Sequence, residues 1–176
     1  IFVADDRLEL EVFYRKCRHE IFNSYLRYES AADPDRSVLI QERLIGQECG
    51  LDLYKDLDEN FVGVVAKKKI AMRSGETDVG EILSSLPFKE FAEKISANLK
   101  FSGLLSVDCF TTETGIYLTE INPRISGHYP FSHLAGVRYP EQLICWLNGE
   151  NTKVGLLNAE VGVRGSKELC PQILST

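Results

Sequence analysis

Between Asp5 and about Glu29 the apolar residues Leu10, Phe13, Tyr14, Cys17, Ile21 and Tyr25 recur at steps of three and four. That is the spacing of one helix face, and it predicts the longest helix of the chain. Asp6 with Glu9 three residues later has the form of a capping box, and Asp33-Pro34-Asp35 ends the segment. Val38-Leu39-Ile40 then reads as a short strand. From Glu48 to Lys69 two β-prone stretches flank the polar cluster Lys55 to Asn60, the composition of a hairpin turn. Ser74 to Gly80 contains two glycines and little apolar pattern, and reads as a loop. Pro87 opens a second helix with the stripe Phe88, Phe91, Ala92, Ile95 and Leu99. Strands follow at 104–110 and 116–121, and a final helix runs from Pro140 to Leu147 with Gly149 beyond its end. The element order is α+β, without regular βαβ alternation or internal repeats.

Composition narrows the class. The chain has 176 residues, 44% hydrophobic and 26% charged, values of a globular protein with one core. No apolar run approaches the roughly 18 to 20 residues of a membrane span, and the first residues lack the basic start of a signal peptide. A net charge of -6 argues against a sequence-independent grip on nucleic acid. Five scattered cysteines, none in a C-x-x-C pair, suggest neither a disulfide framework nor zinc; they read as small core residues of a reducing cytoplasm.

The densest polar information lies between Ser106 and Arg124. As a hairpin with a three-residue loop at Glu113-Thr114-Gly115, the segment sets Asp108 opposite Glu120, with Asn122 on the same face. Val107, Cys109, Tyr117 and Ile121 then point the other way, into a core. Two carboxylates directly across a sheet repel unless something positive lies between them. Two carboxylates and an amide suit hard Mg2+ or Mn2+ better than zinc, and Arg124 just beyond could hold a phosphate through paired hydrogen bonds. The plainer alternative is a strand whose Asp108 and Glu120 face water, with Arg124 neutralising one of them.

Glu120-Ile121-Asn122-Pro123-Arg124, with an aspartate a dozen residues upstream, resembles the metal-binding hairpin of the ATP-grasp superfamily, most closely its carbamoyl phosphate synthetase-like branch. Ile40 to Glu48 is similar to the strand and hinge in which that family holds adenine and ribose. The resemblance implies an ATP-grasp-like antiparallel sheet flanked by helices and truncated at its N-terminus. Residues 1–43 would be a remnant of the lid subdomain, helix and hinge strand, and residues 44–176 the C-terminal subdomain with the metal hairpin. It implies that Gln41, Glu42 and Leu44 meet the adenine edge, and that Glu48 meets the ribose hydroxyls. Asp108 and Glu120 would ligate magnesium, with Glu120 bridging two ions and Asn122 on the second. Arg124, and on a looser match Arg73, would touch phosphate or substrate. Gln41 stands where a Glu is more usual; an amide oxygen can still accept from the adenine amino group.

The implied activity is an ATP-dependent ligase that joins a carboxylate and an amine through an acyl phosphate. The family's strand lysine and glycine-rich loop, and its N-terminal subdomain, have no match here, so the chain alone is expected to be inactive. The alternative is a non-catalytic nucleotide-binding or assembly module, completed by another chain or by a second copy. Of the remaining polar residues, His19 and His133 read as surface or packing groups, and His128 as a loop histidine without an identified partner. Lys67-Lys68-Lys69 reads as a largely solvated strand edge, and Trp146 as core.

Overall fold

A computed structural model describes residues 2–170. The chain divides into two compact units, one ending at Leu44 and the other beginning at Ile45.

The first unit is built on α1 (Arg7–Phe22). The Asp6 side chain accepts from the Glu9 amide, while the Glu9 carboxylate accepts from the Asp5 amide, one residue earlier than an ideal capping box. Phe13, Tyr14, Cys17 and Ile21 share the half-buried face, as their spacing predicts. The helix stops at Phe22, well short of the predicted end. The Asn23 amide bonds the His19 carbonyl and the Ser24 hydroxyl takes the Ile21 carbonyl, so side chains and turn amides satisfy the last orphan acceptors. Tyr25 is consequently exposed, and α2 (Arg27–Ser30) is a separate turn. Val38-Leu39-Ile40 is not a strand: among the described residues nothing pairs with it, and Leu39 and Ile40 are exposed. Three apolar residues predict burial, but a strand also needs a neighbour for its backbone groups.

The second unit is a six-stranded antiparallel sheet in the order β5-β4-β1-β2-β3-β6. Its strands are β1 (Gln47–Lys55), β2 (Phe61–Arg73), β3 (Glu76–Leu83), β4 (Gly103–Thr112), β5 (Gly115–Asn122) and β6 (Arg164–Ser166). The helices are α3 (Lys89–Asn98), α4 (Tyr129–Leu134) and α5 (Tyr139–Leu147). Among the described residues, no helix is long and apolar enough to cross a membrane. The β1–β2 hairpin forms as predicted. The segment read as a loop is mostly β3, because Ser74 and Gly75 take φ of 51° and 83° and close a two-residue turn. Gly80, taken as a loop signal, is a packing residue: a Cβ there would stand 3.0 Å from the Phe131 ring.

Period-two alternation assigns the two faces. Odd residues of β1, Cys49, Leu51 and Leu53, join Ala66, Leu105, Val107 and Cys109 in a core under Phe88 and Ala92. The even residues Glu48, Gly50, Asp52 and Tyr54 face the other way. Around Tyr54 that second face is apolar, packed against Tyr129, Phe131, Tyr139 and Trp146. Toward Glu48 it is charged. At the junction Asp52 and Lys67 form an ion pair with both side chains fully buried. Ser132 of α4 completes it, its hydroxyl accepting from Lys67 Nζ at 2.9 Å and donating to Asp52 Oδ2 at 2.6 Å. The expected solvated lysine run is therefore overturned: alternation does separate the lysines, but it sends Lys67 and Lys69 inward to carboxylates.

Removing one member of a buried pair strands the other charge. Lys67→Met should cost about 3–5 kcal/mol in chemical denaturation, and adding Asp52→Leu should recover a large part of that loss; equal stability of wild type and Lys67→Met would contradict the pairing.

Candidate functional site

The charged end of the sheet's second face collects residues from four strands and one loop. Asp108 on β4 pairs in register with Glu120 on β5, and Ser106 with Asn122. The register arises differently from the prediction. The β4–β5 loop has two residues, since Thr112 pairs with Gly115, and a bulge in β5 between Leu118 and Glu120 then shifts the pairing by one. Tyr117 consequently falls on the opposite face from the expected one: it pairs with Phe110, is partly exposed, and meets Thr114 through its hydroxyl.

In the next row β1 contributes Gly50, opposite both Asp108 and Lys67. Its missing side chain is what admits His128, since a Cβ at Gly50 would lie 2.7 Å from the imidazole. His128 is buried at the start of α4, with Nδ1 3.4 Å from Asp52 Oδ1 and Nε2 3.5 Å from Asp108 Oδ1. Both approaches are long for hydrogen bonds, and His128 Nδ1, Asp52 Oδ1 and Asp108 Oδ1 are buried atoms without a hydrogen-bond partner among the described residues. Burial first, and then the charge of Lys67, lower the His128 pKa, so the ring is neutral at pH 7. A neutral ring has one N–H and can serve one of the two carboxylates at a time.

Lys69 completes the cluster. Its Nζ lies 2.8 Å from Glu48 Oε1 and 2.8 Å from Asp108 Oδ2, with the side chain only 4% exposed. Burial opposes its charge, but the hydrogen bonds it donates to Asp108 and Glu48 prevail and its pKa rises. Burial likewise opposes the Asp108 carboxylate, yet His128 and Lys69 bring its pKa below the ordinary value. Asp52 behaves the same way, burial being outweighed by Lys67 and His128.

Of the residues singled out from sequence, the structure gathers Glu48, Asp108, Glu120 and Asn122 on one face. Glu120 is exposed, and no described residue forms an ion pair or side-chain hydrogen bond with it. Arg124 follows in the exposed turn after β5, bonding the Ile125 carbonyl and, among the described residues, no acidic partner. Arg73 is engaged at the end of β2, ion-paired with Asp78 and donating to the Lys167 carbonyl. Gln41, Glu42 and Leu44 belong to the first unit, where Gln41 and Glu42 border a cleft of about 790 Å³ beside Phe13 and Tyr14. Asp52 and Gly50 escaped the sequence reading, while Lys67, Lys69 and His128 were named there without the partners that the structure gives them. The signal that could have found them was period two: Glu48, Gly50 and Asp52 alternate on one strand, as do Lys67 and Lys69 on the next.

The donor set fits a hard cation. All its ligand atoms are oxygens, and among the described residues Asp108 Oδ1 is buried without a hydrogen-bond partner and Glu120 has no cation of its own. Among the described residues no three His, Cys, Asp or Glu side chains form a ready metal cage.

The model of the ATP-grasp family described as acting in the biosynthetic pathway with the Ter operon matches residues 35–167. The chain belongs to the ATP-grasp superfamily. Solved structures agree on the fold. Biotin carboxylase from Campylobacter jejuni, in complex with β-γ-ATP, matches with a TM-score of 0.63 and 16% identity over 90% of this chain and 36% of that one. The biotin carboxylase domain of Hydrogenobacter thermophilus 2-oxoglutarate carboxylase, with MgADP, ADP and bicarbonate, matches at 0.59 with 19% identity, covering 82% of this chain and 32% of that one. Rhizobium etli pyruvate carboxylase with acetyl coenzyme A matches at 0.58 with 18% identity, covering 77% and 14%. This ATP-grasp chain thus spans little more than a third of the length of these structures, or less.

The buried groups make this ATP-grasp sheet acid-sensitive in two stages. A lowered histidine pKa means that the unfolded chain takes up the proton first, so His128 withdraws stability as the pH falls below about 6.5. Asp52 and Asp108, with lowered pKa values, contribute stability that is fully present above about 4 and is lost below it. Denaturation curves in a chelator at pH 8, 5 and 3 should show both declines; a flat profile from pH 8 to 5 would contradict a buried neutral His128.

Proposed function

We propose that this chain carries the ATP- and magnesium-binding part of an ATP-dependent ligase that activates a carboxylate as an acyl phosphate for attack by an amine or related nucleophile. The observation that carries the reading is the face on which Asp108 and Glu120 stand directly opposite, with Asn122 and Arg124 following on β5 and the turn beyond it. On this reading the second unit is the C-terminal subdomain, and the first a remnant of the lid. The run Glu120 to Arg124 supports the carbamoyl phosphate synthetase-like branch. Cys17, Cys49, Cys109 and Cys145, which form no disulfide, support a reducing, cytoplasmic setting.

Asp108, Glu120 and Asn122 would hold magnesium or manganese. Such an ion, when bound, neutralises the phosphates and the charge that develops on a transferring phosphoryl group. Arg124, with its guanidinium free of an acidic partner among the described residues, holds phosphate oxygens through a planar fork. Gln41, Glu42 and Leu44 take the adenine edge in the first unit. Glu48 is the candidate for ribose, which requires it to share or release Lys69. Arg73 would have to release Asp78 to reach phosphate. The Hydrogenobacter structure with MgADP and bicarbonate supports nucleotide and metal as the ligand class.

A second reading, an assembly module completed by another chain or copy, is favoured by one observation. β5 is an edge strand with Tyr117 and Leu118 partly exposed, and such an edge offers unpaired backbone groups to a partner. A monomeric mass in light scattering at high concentration would count against it.

The ligase reading is tested by thermal unfolding of the intact protein with ADP or ATP, with and without magnesium. Ligand at 100 times its dissociation constant should stabilise by about 2.7 kcal/mol. Glu120→Ala should abolish the magnesium-dependent part; an equal shift in wild type and variant would remove this face from the reading.

A further inference from the structure

Lys67 and Lys69 lie two residues apart on the same strand and face, yet their surroundings differ. Lys67 is locked, fully enclosed and tied to Asp52 and Ser132. Lys69 sits at the mouth of the cluster between Glu48 and Asp108, and touches one oxygen of each. Glu48 is 32% exposed and Asp108 18%, so water and a ligand reach the carboxylates that hold it. Asp108 Oδ1 has no hydrogen-bond partner among the described residues, and no described residue neutralises Glu120 across the strand. The oxygens a divalent cation would use are thus served by one ammonium group that neutralises Asp108 and Glu48 but leaves Glu120 alone. A lysine ammonium and a divalent cation on the same carboxylate repel.

We propose that Lys69 is an exchangeable internal counter-ion. It holds Asp108 and Glu48 in the absence of nucleotide, and yields Asp108 to a divalent cation only when polyphosphate arrives to accept its ammonium. The inference rests on the ligase reading above and adds an order to it: metal and polyphosphate enter together, and metal alone is disfavoured. The chemistry is that of a charge swap, in which Lys69 exchanges a carboxylate oxygen for a phosphate oxygen and no net positive charge accumulates in the site. Lys67 cannot take the same part, because its charge is the sole cation against the buried Asp52 among the described lysines and arginines.

The test is Mn2+ binding to the intact protein, followed by the electron paramagnetic resonance signal of free Mn2+, with no anion, with inorganic tripolyphosphate and with ADP. Wild type should bind Mn2+ at least tenfold more tightly with tripolyphosphate or ADP than without. Lys69→Met should bind Mn2+ without anion at least tenfold more tightly than wild type does, and should lose most of the dependence on phosphate. Lys69→Met binding Mn2+ no more tightly than wild type would overturn the proposal. So would wild type binding Mn2+ equally well with and without tripolyphosphate, a result that needs no variant to fold. Glu120→Ala separates the two levels. If it weakens Mn2+ binding in the presence of ADP while Lys69→Met changes nothing, the site stands and the counter-ion role fails. If Glu120→Ala leaves Mn2+ binding with ADP unchanged, the site reading fails and takes the counter-ion with it.

Discussion

The contact on which the second unit depends is the buried ion pair of Asp52 and Lys67. Neither charge can be withdrawn from water without the other, because an unpaired ion in a sheet interior costs several kcal/mol. Pairing alone leaves donors and acceptors over, and Ser132 takes one of each by accepting from the lysine and donating to the aspartate. That fixes α4 to the middle of the sheet at a polar point, in addition to the apolar packing of Tyr129 and Phe131. His128, at the start of the same helix, is thereby held over Gly50 and beside Asp108. The site's geometry descends from the core: move α4, and the group flanking Asp108 moves with it.

A ranking of effects follows from burial. The Lys67–Asp52 pair is fully enclosed, so its loss is a stability matter. Lys69 is nearly enclosed, but its carboxylate partners are open to solvent, so its pairing is strong yet replaceable. Surface pairs such as Lys89–Glu93 and Arg7–Glu11 are exposed on both sides and contribute little. One strand face therefore grades from fully buried charge to charge open to solvent within a few residues, while the opposite face of the same strands stays apolar under α3.

How much of this was legible in the sequence depended on whether local pattern or tertiary contact decided. The β1–β2 hairpin, α3, α5 and the face of α1 were legible because period and punctuation act within a few residues. The Asp108–Glu120 pairing was legible too, but by a route that needed correction: a shorter loop and a bulge replace the predicted longer loop. β3 was hidden because glycine was read as a chain-breaker when Gly80 was required by the Phe131 ring. Val38 to Ile40 misled in the other direction, since apolar character without a pairing strand yields only an extended segment. The lysines were hidden because three in a row look solvated, and only the neighbouring strand shows that two of them meet carboxylates. His128 could not be assigned a partner from sequence, its neighbours lying about 20 and 76 positions away.

Counted by row, the charges at this end of the face do not cancel. Glu48, Asp108 and Glu120 bring three negative charges toward one end of the face, and Lys69 returns one. Had the chain supplied a third carboxylate ligand beside Asp108 and Glu120, a divalent ion could be held tightly without nucleotide, and the lysine would be repelled from the site. Two carboxylates, one amide and a lysine leave the balance short of what a cation needs and beyond what the ammonium alone neutralises. On the proposed reading, polyphosphate would supply the missing anionic oxygens for the first and an alternative partner for the second, so that metal and nucleotide would be taken together rather than singly.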